Sequence, residues 1–358
     1  MNKSLTLPDM PTIGIEEEHF IVSTRSENLE NLPADAVDAL SDRLGSNMSL
    51  EYKSCQIEMK TKPATCGDHL LKHLKRNRNV ADAALNKFDL KLFSKSAHPV
   101  ANWRDFQARP DKRYANIESR LGDNVRRLLT AGLHVHIGTF PDHDVPVQRM
   151  LQFWFLVPTL VAANASSSSW CGRDTGFVSN RRNILLGLSS QCPPPVYCRK
   201  EFEEYLALQV KLGAAEKEND LWLDIRPGRK GLDTVEFRAA DISPDVHANV
   251  SIAIFLQGLE FIARTRPWSL PDMPDAYERN LIEQSARFSA KSGFDAQVFD
   301  PFRKSARNLR EFSLELLELA APGINACGNG SWVPRINRLF TRQATRQEDT
   351  RELIHSGV

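Results

Sequence analysis

No CxxC pair occurs among the six cysteines, Cys55, Cys66, Cys171, Cys192, Cys198 and Cys327, so neither a zinc ribbon nor a dithiol redox motif is written here. Cys192 and Cys198 flank three prolines and could approach one another, but reduced thiols are the expectation. A GxGxxG turn after a strand, a GxxxxGK[ST] loop and a GxSxG elbow are all missing. Their absence removes Rossmann, P-loop and serine-hydrolase chemistry. Charge imbalance is missing too: 46 Lys and Arg against 45 Asp and Glu give a net charge of +1. Nucleic acid is therefore not an expected partner. The basic run His73 to Arg78 reads as a solvated helix face. The opening MNKSLTLPDMPT has no apolar core of signal-peptide length, so a cytoplasmic protein is expected. The most apolar stretch, Met150 to Ala165, is too short for a span and carries Gln152 and Pro158. It reads as a core helix, and no membrane partner is expected.

What is present is an ordinary globular balance, 41% hydrophobic and 25% charged, in a chain of 358 residues long enough for a large core. Periodicity and end signals predict helices over Pro33–Leu44, Asp68–Phe88, Arg113–Leu129, Pro146–Ala165, Lys200–Leu212, Asp245–Arg264, Ala276–Ala290 and Phe302–Leu319. Strands are expected over Thr12–Val22, Cys55–Thr61, Lys91–Ser96, Leu133–Thr139, Leu221–Ile225 and Thr234–Ala239. The two kinds do not alternate strictly, which favours an α+β fold with a mainly antiparallel sheet covered by helices. No repeat or long linker stands out, so residues 1–358 read as a single domain.

Chemistry is suggested by polar residues inside apolar strands. Alternation in IGIEEEHFIV puts Glu16 and Glu18 on one face. Paired carboxylates repel, and a divalent cation would remove the conflict as well as a partner arginine would. In GLHVHIG, His134 and His136 share a face, and in TVEFR so do Glu236 and Arg238. The latter pair suits an internal ion pair or a metal ligand beside a phosphate clamp. Glu58 in QIEMK, with Glu51 seven residues earlier, adds carboxylates. Arg226 stands at a strand end, and the loop from Trp170 to Arg181 carries Arg173, Thr175 and Arg181 between glycines. Guanidiniums there could grip carboxylate or phosphate bidentately, or form structural salt bridges. Together these residues describe a face able to hold several magnesium ions and a nucleotide triphosphate.

The segments TIGIEEEHFIV, SCQIEMKTKPATC, LTAGLHVHIG, SSSSWCGRDTGFVSNRR and LWLDIRPGRKGLDTVEFRAADISPD occur in one order, followed more loosely by YERNLIEQSARFSAKSGFDAQVFDP. In this the chain resembles the bacterial glutamate–cysteine ligase type 2 group, the YbdK-like carboxylate–amine ligases. The resemblance implies a glutamine-synthetase-like catalytic fold whose curved antiparallel sheet cradles ATP and Mg2+. By that analogy Glu16, Glu18, Glu51, Glu58, His134 and Glu236 fall at metal-ligand positions. His136, Arg226 and Arg238 fall at nucleotide-phosphate positions, with the two arginines as the catalytic pair. Arg173, Thr175 and Arg181 match a loop expected to hold the acidic substrate. The implied reaction phosphorylates a carboxylate, with glutamate's the one expected, and joins it to cysteine or another amine, giving a γ-glutamyl amide, ADP and phosphate. A homo-oligomer acting on small molecules is the family expectation.

Three positions depart from the pattern. His19 stands where an aromatic or large apolar residue is usual, Met59–Lys60 replaces small or aliphatic residues, and Ser331–Pro334 replaces the usual continuation after Gly328–Gly330. Lys60 puts a cation beside Glu58, which keeps open a silent homologue that binds nucleotide or a small acid without turnover. A guanidino-type phosphotransferase is the third alternative, although its own signatures are not visible.

Overall fold

The computed structural model describes residues 10–188, 191–229 and 231–342. Its principal sheet combines β1 (Ile13–Ser23), β2 (Met48–Leu50), β3 (Gln56–Lys60), β4 (Leu90–Phe93) and β5 (Gly132–Gly138). After a short ribbon of β6 (Ser169–Trp170) and β7 (Arg173–Asp174), the chain returns to it with β8 (Ile225–Pro227) and β9 (Thr234–Asp241). The order is β2-β3-β1-β5-β9-β8, β4 pairs with the end of β1, and every pairing is antiparallel. A second ribbon joins β10 (Gln297–Asp300) to β11 (Ser305–Asn308). The α+β architecture expected from the sequence is the one found.

Alternation sorts the sheet into two faces. Ile13, Ile15, Leu133, Val135, Ile137, Val235 and Phe237 are fully or almost fully buried against helices. The helix Val246–Thr265 is the centre of this layer, buried on nearly all sides. By length and composition it could cross a membrane, but most of its apolar window is covered by the protein itself. It crosses the helix Leu309–Ala326 where Gly258 meets Gly323, and a Cβ on Gly323 would collide with the Gly258 carbonyl. Close backbone approach is why both positions are glycine.

Several element boundaries differ from expectation for identifiable reasons. The apolar run from Pro146 is interrupted, with helices at Val145–Gln152 and Val157–Ala163 around a tight turn at Trp154–Leu156. Pro158 supplies no N–H and would clash with the carbonyl four residues back, so a helix can only restart there. The stretch expected to run from Arg113 divides at Gly122, whose φ of +55° ends the helix Lys112–Leu121. The last long helix begins at Leu309 rather than Phe302, because Asn308 caps it by accepting from the N–H groups of Arg310 and Glu311. Residues 221–224 are not strand, and only Ile225–Pro227 pairs with β9. The basic run at 73–78 is not wholly solvated: Arg78 turns inward to pair with Glu17.

Candidate active site

The polar face of the sheet is set by register. Glu16 on β1 lies between Lys60 on β3 and His134 on β5. One step along, Glu18 faces Glu58. On the other side of β5, His136 faces Glu236, which in turn faces Arg226 on β8. Between Leu133 and Val135 the pairing with β9 slips by one residue. This β-bulge changes which β9 residues face the cleft, so Asp241 instead of Ala240 follows Glu236 and Arg238 onto the polar side opposite Gly132. Glu51 arrives from the turn between β2 and β3. That turn is held by Arg109, which donates to the carbonyls of Glu51, Ser54 and Gln56.

The result is a concentration of ligand atoms. Among the described residues three groups each bring theirs within 4.8 Å of one another: Glu16, Glu58 and His134; Glu16, His136 and Glu236; Glu18, Glu51 and Glu58. His134 Nδ1 lies 3.5 Å from Glu16, 3.8 Å from Glu58 and 3.9 Å from Glu236, while its Nε2 is 3.6 Å from Glu18. His136 Nε2 is 3.4 Å from Glu16. Both ring nitrogens of His134 and Nε2 of His136 are buried without a hydrogen bond. Such atoms are costly to leave unsatisfied, which makes the donor set suited to hard cations shared by carboxylate and imidazole.

Electrostatics divide the cluster. Burial pushes the Glu51 carboxyl well above the ordinary range, and the charges of Glu58 and Glu18 push it further. Burial and the charge of Glu16 raise Glu58 as well, against the pull of Lys60. Burial would also raise Glu236, but Arg238 and Arg226 override it and hold the carboxyl well below its usual value. Arg226 Nε donates to Glu236 at 2.5 Å and Arg238 pairs with the same carboxylate. Arg226 Nη1 is left without a hydrogen bond beside the cavity.

Of the three residues assigned to a substrate loop, the structure brings only Arg181 to this cavity. It lies over β5 at Gly132, where a Cβ would collide with its guanidinium, and donates to the carbonyls of Arg238 and Ala240. Arg173 is exposed on β7 outside the cavity lining. Thr175 shapes a turn, its hydroxyl donating to the Ser168 carbonyl at 2.7 Å. Asp241 anchors this segment by accepting from Ser166 N–H and from the hydroxyls of Ser167 and Ser179. Arg182 forms a buried pair with Asp224, tying the helix Asn180–Leu186 to the approach to β8. Sequence reasoning missed the far wall, where Arg113, Tyr114, Trp222 and Arg229 line the cavity from elements distant in the chain. His19, the departure after the acidic triplet, is fully buried on the helix side, between Ser94 and Glu17, away from the cluster.

Residues 12–351 match the family described as Glutamate-cysteine ligase family 2 (GCS2). The chain belongs to this family. A relative from Jannaschia sp. (strain CCS1), provisionally named glutamate–cysteine ligase 2, is 30% identical over 354 residues, spanning 97% of this chain and 90% of the relative. The fold is shared with a bifunctional glutathione synthetase from Pasteurella multocida, with a TM-score of 0.71 and 14% identity over 97% of this chain. This chain spans half of that protein's length. It is also shared with a glutamate–cysteine ligase from Francisella tularensis solved with AMP, with a TM-score of 0.65 and 15% identity, covering 97% of this chain and 87% of that one. Family membership makes the protein an ATP-dependent carboxylate–amine ligase.

Proposed function

We propose that this ligase phosphorylates the side-chain carboxylate of glutamate and passes the activated acyl group to the amine of cysteine or a related small molecule. The observation that carries the reading is the convergence of Glu16, Glu18, Glu51, Glu58 and Glu236 with His134, whose ring nitrogens make no hydrogen bond. These six residues would hold magnesium, which when bound offsets the charge of the nucleotide phosphates. Glu16 stands 3.4 Å from His136 Nε2, Glu236 faces His136 across β5 and β9, and Arg238 is held by Glu236 on the same face. Arg226 is fixed by one edge of its guanidinium to Glu236 and keeps Nη1 available for a phosphate oxygen. Arg181, pinned over Gly132, adds positive charge at the other end of the cluster for an acidic substrate.

In the first step a carboxylate oxygen attacks the γ-phosphorus of ATP and the bond to ADP breaks, with Arg226 and Arg238 stabilising charge on the transferring group. In the second the amine attacks the acyl carbon, inorganic phosphate leaves and the ammonium proton is released. The test is phosphate release from ATP with magnesium and L-glutamate across a panel of amines beginning with L-cysteine, with products identified by mass. Amine-dependent phosphate release with a γ-glutamyl product supports the reading. Nucleotide binding without turnover on any acid and amine would contradict it.

A further inference from the structure

Lys60 reaches into the carboxylate cluster. Its Nζ lies 2.8 Å from Glu58 Oε1 and 3.4 Å from Glu16 Oε1. Those two carboxylates also form one of the three ligand groups, in which their other oxygens, Oε2, point toward His134 Nδ1. The position is dictated by register: Lys60 is paired with Glu16 across β1 and β3, and Glu58 is two residues away on the same face. The side chain is two-thirds covered, so the ammonium is held against the cluster rather than extended into solvent. We propose that Lys60 is a built-in monovalent cation that takes the place of one divalent ion, at the site shared by Glu16, Glu58 and His134. This inference rests on the reading of these residues as metal ligands.

A divalent cation on the Oε2 atoms of Glu16 and Glu58 would sit beside the ammonium already held on their Oε1 atoms, and two cations that close repel strongly in a partly desolvated site. Lys60 contacts both carboxylates of the group with His134, but only Glu16 in the group with His136 and Glu236 and only Glu58 in the group with Glu18 and Glu51. The chain is thus built to bind one divalent ion fewer than its three ligand groups allow, with the missing charge supplied covalently.

The substitution that tests this removes only the ammonium. The Lys60 main-chain carbonyl accepts from Asn77 Nδ2 at 2.9 Å, and that contact does not involve the side chain. Lys60→Ala and the longer Lys60→Met would be titrated with Mn2+ without nucleotide, bound ions being counted by electron paramagnetic resonance. Both variants are expected to bind one more Mn2+ per chain than the parent, while Lys60→Arg keeps the parent's number. An unchanged count and affinity in Lys60→Ala and Lys60→Met would overturn the inference and leave the metal-ligand reading standing. Failure of parent and variants alike to bind Mn2+ would overturn both.

Discussion

Glu16, Glu17 and Glu18 are consecutive, yet the middle carboxylate belongs to a different environment from its neighbours. Glu17 points to the helix side of the sheet, is fully buried and is satisfied. Arg78 donates to both its oxygens at 2.8 Å, Asn249 Nδ2 donates at 2.6 Å, and His19 stands 3.3 Å away. Glu16 and Glu18 point to the opposite face among other carboxylates, the imidazole of His134 with neither nitrogen hydrogen-bonded, and the unpartnered Nε2 of His136. A buried carboxylate with its partners in place holds a fold together, whereas carboxylates gathered without enough partners store repulsion that a ligand can relieve. The same triplet therefore supplies one structural residue and two residues of the candidate site, separated by strand parity.

The sharpest way to break that contrast is to neutralise one member at a time. Glu16→Gln or Glu236→Gln is expected to lower turnover about a thousandfold or more while the thermal midpoint stays near that of the parent. Phosphate-release kinetics and melting curves would check both halves, and near-normal turnover would count against the metal-ligand reading. Glu17→Gln is expected to act on stability instead. It breaks a buried bidentate pair at a cost of about 3 kcal/mol, read from the denaturant midpoint.

The acid side of the stability profile gives a related test. Burial alone would raise the Glu17 carboxyl, but Arg78 and His19 hold it down at about 2, against an ordinary 4.5. Since the folded-state value is the lower one, its contribution is present above pH 4.5 and is lost as the pH falls toward 2. Glu17→Gln should flatten the stability–pH curve in that window, which denaturation at stepped pH would show. Glu51 has the opposite sign, since burial and its acidic neighbours raise its carboxyl. Glu51→Gln is expected to stabilise the metal-free protein at neutral pH by about 1 kcal/mol, and added magnesium should erase that gain. The smallest effect belongs to Arg173→Ala. The residue is exposed outside the cavity, so KM for the acid should change less than about twofold.

Local alternation made much of this visible in advance. The period of two in IGIEEEHFIV, GLHVHIG and TVEFR is enough to put Glu16 with Glu18, His134 with His136 and Glu236 with Arg238. Helices with clear end signals, such as Val246–Thr265 with Asp245 as its cap, fell close to their expected bounds. Features that depend on pairing rather than pattern were not legible. The bulge that turns Asp241 toward the polar face exists only because β9 carries one more residue than β5 at that point. Arg173 and Arg181 occupy similar-looking loop positions, and only the glycine at 132 on another strand makes room for one of them. Arg78 looked like part of a solvated run because its partner Glu17 lies 61 residues away. The far wall, with Tyr114 and Trp222, depends in the same way on contacts that no local pattern encodes.

The most direct test compares the two faces in one assay. Mn2+ binding would be counted for the parent, Glu16→Gln and Glu17→Gln under conditions where all three are folded. The expected result is that Glu16→Gln loses bound Mn2+ while Glu17→Gln keeps the parent's number. Equal counts in all three proteins, or a loss confined to Glu17→Gln, would contradict the assignment of the polar face as the metal-binding side of this ligase.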